Sequence, residues 1–218
     1  MKIKVELLTT YAAFEDMERF AALAALTCHD NTAKMNSEGY KPSDTLKHII
    51  KMKHESILEH INLTFSVKEL SRACLQELAR HRHISLSVES TRHTLRKKFL
   101  DNNNEITLPA YTPDDFIMLP NGSHFIVRDI FMQCLEMLSH TPKEILSNDE
   151  LKYFLPEFWP TNLILTTNIR SLRHIIELRT APAALEEFQD LARGLFEAVP
   201  QEFRYLLEDF ACREEVKA

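Results

Sequence analysis

Glycine is scarce in this chain, and its scarcity limits how the protein can hold a phosphate group. The 218 residues include three glycines, Gly39, Gly122 and Gly194, and each stands alone. Neither the glycine-rich turn of a dinucleotide-binding fold nor a Walker phosphate loop can be written anywhere in the sequence, because both need several clustered glycines. Any phosphate bound here must be held by side chains and helix ends.

The overall charge argues against polyanionic partners. The formal net charge is −6, whereas nucleic acids and anionic membranes favour proteins with a basic surface. No stretch approaches eighteen apolar residues, and the first residues lack the pattern of a leader peptide. We therefore expect a cytoplasmic protein, with no nucleic acid and no membrane as partner. A hydrophobic content of 44% predicts a single domain over 1–218.

Metal sites and disulfides are not predicted. The four cysteines are far apart and form no CxxC pair, so free thiols are expected. The segment HESILEH at 54–60 offers two histidines and two glutamates, but its spacing matches neither HExxH nor HxxEH. Capping and helix packing are the default roles of these residues.

Hydrophobic periodicity predicts alternating strands and helices. Strands are expected at 3–8 and 61–67, and 102–115 is predicted to be a loop with a short strand. Pro42 should open the second helix with Ser43 or Asp44 as its N-cap. Helices are expected at 14–28, from Pro42 to about 57, and at 69–82, 122–140, 143–154, 169–180 and 183–212, the last broken at Pro200.

Arginines enter the apolar side of two of these helices. If the helix at 69–82 ran to its end, Arg82 would lie about 200° from Arg80, inside the apolar arc that extends from Leu70 to Ala79. Either the helix stops earlier or Arg82 meets an anion, since an unpaired buried guanidinium is very costly.

The second such arginine is Arg179. It lies about 180° from Arg170, within the apolar arc of its own helix. It could hold a phosphate, a carboxylate or the edge of a planar ring. Alternatively, it simply ends its helix by pairing with the helix dipole or a glutamate.

Taken together, these segments resemble the flavin-dependent thymidylate synthases. The family signature is RHR, seven residues and a serine, and here Arg80-His81-Arg82 is followed by HISLSVE and Ser90, with Arg92 two residues later. HESILEHINLTFSV resembles the upstream family block and TTNIRSLRHIIELR the downstream one. The ordered set of motifs is specific, although each motif alone is modest.

The resemblance implies a fold and a chemistry. The fold is α+β, a central, mainly antiparallel sheet with packed helices, in a homotetramer with active sites at subunit interfaces. The reaction converts dUMP to dTMP with FAD as cofactor, and with NADPH and methylenetetrahydrofolate as co-substrates. No cysteine attacks the uracil, and none of the four cysteines here follows a proline.

The resemblance also assigns roles to residues. Catalytic roles fall to Arg179, which contacts the pyrimidine, and to Ser90, in a binding and polarising role. The flavin contacts are Ser56, Arg80, His81, Arg82, Asn168, Arg170 and His174, with His54 a weaker candidate. The dUMP contacts are Glu77, Ser90, Arg92, Lys152 and Arg179. No metal is implied.

The chain departs from the family pattern at several positions. Val88 occupies a position where the family commonly has an acidic or amide residue. Lys152 replaces a phosphate-binding arginine, and a lysine cannot form the bidentate hydrogen bonds of a guanidinium group. The segment RTAPAALEE at 179–187 lacks the usual histidine and glutamine. Val88 motivates one alternative, a related flavin enzyme acting on another pyrimidine nucleotide. A second alternative is a non-catalytic nucleotide- or RNA-binding module.

Overall fold

The computed structural model describes residues 3–94, 129–130, 133, 136–137 and 147–207, which form an α+β fold. Its strands are β1 (Lys4–Leu7), β2 (Asn62–Ser71), β3 (Ile84–Val88) and β4 (Pro160–Asn168). Its helices are α1 (Tyr11–Thr27), α2 (Pro42–Lys51), α3 (Arg72–Leu78), α4 (Asn148–Leu151), α5 (Ile169–Arg179) and α6 (Glu186–Ala198). Short 3₁₀ segments occupy Thr32–Asn36, Glu55–His60, Lys152–Phe154 and Gln201–Leu206.

The four strands form one sheet in the order β1-β2-β4-β3. The amide of Ile169 donates to the carbonyl of Ile61 at 2.9 Å, and the hydroxyls of Thr64 and Thr166 lie 3.0 Å apart. Residue numbers that increase along β2 are thus paired with residue numbers that decrease along β4. The two strands are antiparallel, as the predicted fold class requires.

Strand β2 is longer than the sequence predicted because its alternation changes phase. Leu63, Phe65 and Val67 are buried at every second position, but the next buried residue is Leu70. Glu69, just before it, has a positive φ of 65°. A residue in that conformation offsets the alternation by one position, and the strand runs on to Ser71, which had been placed in a helix.

The described residues divide into two compact units. The smaller contains 68–77 and the described part of 88–163, and the larger contains 3–67, 78–87 and the described part of 164–218. In the larger unit α1 packs on α2, α5 on α6, and α6 on β1. A Cβ placed at Gly194 of α6 would lie 2.9 Å from a methyl carbon of Val5, so a larger residue here would force Val5 to move.

Two predictions about α2 are wrong. Pro42 occupies the first turn and Lys41 is the N-cap, so neither Ser43 nor Asp44 caps the helix. Proline suits the first helical position because its fixed φ is already helical, which moves the cap one residue upstream of it. The helix also ends at Lys51 rather than near 57, and Lys53 then has a φ of 57°.

Other elements agree with their predictions to different degrees. The break at Pro200 is confirmed, since α6 ends at Ala198 and a 3₁₀ segment starts at Gln201. The predicted loop at 102–115 and most of the predicted helix at 122–140 lie outside the described residues. No helix of the described portion is long and apolar enough to span a membrane.

Candidate active site

The helix α3 ends before the charged triplet that follows it. Leu78 is its last residue, and the amide of His81 donates to the Leu78 carbonyl at 3.0 Å in the turn after it. His83 then adopts a φ of 59°, and β3 begins at Ile84. The first alternative is therefore correct, because the helix stops and Arg82 is exposed instead of entering the apolar arc.

The second charged segment lies on α5, which directly follows β4. The side chain of Asn168 caps this helix by accepting a hydrogen bond from the amide of Ser171 at 2.8 Å. Arg170 and His174 follow one helical turn apart, and Arg179 is the last helical residue. Asn168, predicted as a flavin contact, thus has a structural task as well.

Both segments line one cavity of about 600 Å³ in the larger unit. Its walls include four arginines and one glutamate, a net charge of +3 when the histidines are neutral. This local excess contrasts with the acidic chain as a whole. The lining residues are Glu59, Arg80, His81, Arg82, His83, Asn168, Arg170, Ser171, His174, Leu178 and Arg179.

The contact between Arg179 and His81 joins the two segments. Nε of Arg179 donates to Nε2 of His81 at 3.0 Å. The guanidinium carbon of Arg179 lies 4.4 Å from the centroid of the Phe188 ring, within cation–π range. Arg179 does end its helix, and its guanidinium also belongs to the cavity wall.

His81 is held in its neutral form. Burial, together with the positive charge of Arg179 and the neighbouring His174, lowers the pKa of His81 to about 4. Because Nε2 accepts a hydrogen bond from Arg179, the proton of the neutral ring is on Nδ1. The rings of His81 and His174 are 6.1 Å apart in an edge arrangement.

Arg170 is paired with a carboxylate from the upstream segment. Its Nη1 donates to Oε1 of Glu59 at 2.5 Å, and both side chains are half exposed. Glu59 supplies the negative charge on the wall of the cavity. Sequence reasoning had noted Glu59 only as part of HESILEH.

A second cavity of about 370 Å³ lies beside the first in the larger unit. His54 and Ser56, both candidates from the sequence, line it together with Cys28 and Lys53. Arg170 lines both cavities. Ser56 therefore lines a different cavity from the other predicted flavin contacts, and Arg170 is the predicted contact that lines both.

The remaining predicted substrate contacts belong to the smaller unit. Arg92 makes a bidentate pair with Asp149, with Nε 2.7 Å from Oδ1 and Nη2 3.1 Å from Oδ2. The Ser90 carbonyl accepts the amides of His93 and Thr94, while its side chain is exposed, as is Lys152. Glu77 is half buried near the end of α3.

A buried arginine that sequence reasoning missed supports this arrangement. Arg173 of α5 is 3% exposed, and its Nη1 donates to the Leu206 carbonyl at 2.6 Å. Its Nη2 lies 3.4 Å from Oε1 of Glu55. The available signal was weak, because Arg173 lies about 60° beyond Ile176 on the helix, at the border of the apolar arc.

The donor set of the site suits an anion rather than a metal ion. In the described residues, no group of three or more His, Cys, Asp or Glu side chains could hold a metal. Guanidinium groups bind phosphates and planar acceptors through paired hydrogen bonds. The cavity can therefore bind a phosphate-bearing ligand without a glycine loop.

Comparison with known proteins points to one family. The model of the thymidylate synthase complementing protein family matches residues 7–203. A flavin-dependent thymidylate synthase of Campylobacter jejuni is 40% identical over 186 residues, covering 85% of this chain and 88% of that protein. One from Helicobacter pylori is 36% identical over 198 residues, covering 87% and 92%.

The fold agrees with these sequence matches. The crystal structure of thymidylate synthase X from Helicobacter pylori, with FAD and dUMP, superimposes with a TM-score of 0.74 at 32% identity. The match covers 97% of this chain and 100% of that one.

Proposed function

The chain belongs to the thymidylate synthase complementing protein family, the flavin-dependent thymidylate synthases, and from this we propose that it methylates dUMP to dTMP with FAD as its cofactor. The structural observation that carries the proposal is the arginine-lined cavity of the larger unit. Its four arginines come from the signature triplet, which supplies Arg80 and Arg82, and from the downstream block, which supplies Arg170 and Arg179.

The residues of the cavity fit FAD by their chemistry. FAD carries a diphosphate, and the net charge of +3 on the walls would neutralise it. Arg80, Arg82 and Arg170 would hold this group, because their guanidinium forks supply the donors that a glycine loop provides elsewhere. Bound FAD supplies the hydride chemistry that no side chain can perform.

Arg179 is suited to the substrate step. Its guanidinium donates from Nε to His81 and lies over the ring of Phe188. A fixed positive charge beside the pyrimidine would stabilise the negative charge that develops on a ring carbonyl or nitrogen as carbon 5 becomes nucleophilic. Neutral His81 accepts a hydrogen bond from Nε of Arg179. It therefore holds this arginine in place and brings no second positive charge that would compete with Arg179 for the substrate.

Several parts of the proposal are supported by the family resemblance alone. These are methylenetetrahydrofolate as carbon donor, NADPH as reductant, the homotetramer with active sites at subunit interfaces, and the cytoplasmic location. The same holds for dUMP contacts by Glu77, Ser90, Arg92 and Lys152, for a flavin contact by Ser56, and for a single domain over 1–218. Flavin contacts by Asn168 and His174 are also supported by their position in the cavity lining.

A reconstituted reaction tests the function. The full chain is mixed with FAD, NADPH, methylenetetrahydrofolate and either dUMP or dCMP, and the nucleotide products are separated. We expect dTMP from dUMP, and faster anaerobic bleaching of the flavin by NADPH when dUMP is present.

Two results would overturn the proposal in different ways. A folded protein that takes up no FAD would exclude a flavin enzyme and leave the arginines to another anion. A product from dCMP and none from dUMP would favour the alternative of another pyrimidine nucleotide.

A further inference from the structure

Phe188 is a buried aromatic residue that no motif assigns to the active site. It lies in the first turn of α6 and is fully buried. The residues between Arg179, the last residue of α5, and Phe188 connect the two helices and begin α6. From the sequence, Phe188 is expected within a helix at 183–212, with no role assigned to it.

The ring of Phe188 contacts both Arg179 and His81 of the cavity wall. The guanidinium carbon of Arg179 lies 4.4 Å from its centroid. The ring of His81 lies 5.7 Å away, edge-on, at an interplanar angle of 76°. Because Arg179 also donates to His81 at 3.0 Å, the three side chains contact one another pairwise.

Two contacts restrict the guanidinium group of Arg179 more than one contact would. A hydrogen bond from Nε alone would leave Arg179 able to rotate about its side chain, at a cost in entropy when a ligand binds. The aromatic face removes that freedom, since a guanidinium group stacks favourably on an electron-rich ring. An aliphatic residue would fill the same volume without this preference.

We propose that Phe188 is a positioning residue of the synthase reaction, which acts through Arg179 by holding the guanidinium plane in the orientation that serves the pyrimidine. This inference rests on the proposed function, because it takes the ligand of Arg179 to be the substrate. It adds a determinant on α6, outside every motif of the family signature in this chain.

The test compares two phenylalanines in the FAD-loaded enzyme. Phe188→Leu removes the aromatic face, and Phe65→Leu makes the same change at a fully buried position of β2. Phe188→Tyr restores the ring. For each variant, the dissociation constant of dUMP is measured from the change in flavin absorbance, and FAD retention is measured by ultrafiltration.

We expect Phe188→Leu to weaken dUMP binding by roughly fivefold while FAD retention stays within about twofold of wild type, the effect of losing one partly desolvated cation–π contact. Phe188→Tyr should restore the affinity, and Phe65→Leu should match wild type in both measurements. If Phe188→Leu does not fold, Phe188→Met, which is closer in length, takes its place.

Three results would overturn the inference: unchanged dUMP affinity in Phe188→Leu, an equal loss in Phe65→Leu, or a Phe188→Tyr variant no better than Phe188→Leu. Failure of the proposed function would look different. The wild-type enzyme itself would then form no dTMP, and dUMP would leave the flavin spectrum unchanged.

Discussion

Nε of Arg179 donates a hydrogen bond to Nε2 of His81 across 98 positions of sequence, with the two atoms 3.0 Å apart. The bond connects the charged triplet after α3 to the last residue of α5. It requires a neutral imidazole, and the pKa of about 4 ensures that form near pH 7. The two motifs are therefore directly connected, and a substitution at either residue should alter the environment of the other.

Arg179→Ala should abolish thymidylate formation and leave FAD bound. The guanidinium would no longer stabilise charge on the pyrimidine, and loss of one such group typically lowers kcat by about 10² to 10³. Product formation and the flavin spectrum of the purified variant measure the two effects. Arg193→Ala, on the exposed side of α6, is the matched control and should behave like wild type. Loss of FAD in Arg179→Ala would instead assign this residue to the cofactor.

The stability of the protein should fall between pH 6.5 and about 4 because of His81. The pKa of this residue is lowered in the folded state, so the unfolded chain binds a proton over this range and the folded one does not. Its contribution is therefore fully present above pH 6.5 and is lost as the pH falls. Since the side chain is only half buried, we expect the loss to be about 1 kcal/mol.

Urea unfolding at pH 7 and pH 5 measures this effect. His81→Gln, which keeps an acceptor for Arg179 but does not titrate, should lose less stability than wild type over the same interval. Equal losses in the two proteins would mean that other groups cause the pH dependence.

Glu59→Gln should strengthen FAD binding. The carboxylate of Glu59 pairs with Nη1 of Arg170 on the wall of the cavity, so a bound phosphate must compete with it. Removing a half-exposed ion pair of this kind changes a binding constant by up to about fivefold. The measurement is an FAD titration at low and high salt, where the advantage of the variant should shrink as salt screens the charges.

Asp190→Asn is the control for Glu59→Gln, since Asp190 forms a comparable exposed pair with Arg193 on α6. This substitution removes the same charge away from the cavity and should leave FAD affinity unchanged. A weaker affinity in Glu59→Gln would show that Glu59 orients Arg170 for the ligand instead of competing with it.

Arg173→Met should destabilise the protein by about 3 kcal/mol, because the change leaves a buried carbonyl without its donor. That carbonyl belongs to Leu206, which is fully buried, and Glu55 would lose the same partner. The midpoint of urea unfolding measures the effect. Arg193→Met, at an exposed position, should shift the midpoint by no more than about 0.5 kcal/mol. A small effect in Arg173→Met would mean that water replaces the guanidinium group.

The periodicity of the sequence predicted α5 and most of its buried side, since Leu172, Ile175 and Ile176 are buried as expected. Apolar residues at helical spacing placed the buried arc between Leu178 and Ile176, yet Leu178 is 47% exposed. The buried side is instead centred nearer Arg173. Hydrophobic patterns assume that charges face water, so a buried arginine satisfied by a distant backbone carbonyl leaves only a weak signal in them.

The charged triplet was recognised as a site, whereas its backbone was only half predicted. The argument from burial left two outcomes for Arg82 and could not choose, because the choice depends on where α3 ends. The end is set by the turn at His81 and the positive φ of His83, which is unusual for a residue other than glycine. The same local geometry produced β3, which the sequence did not indicate.

The early end of α3 has a consequence for how this site evolves. In a continuing helix, Arg80, His81 and Arg82 would point in directions spread over about 200°, whereas in the turn all three line one cavity. A mutation elsewhere that lengthened α3 by one turn would scatter these side chains without changing any of them. Natural selection on this segment must therefore preserve the end of α3 as well as the identities of the three residues. A transfer of the motif into another protein must likewise include the residues that end the helix.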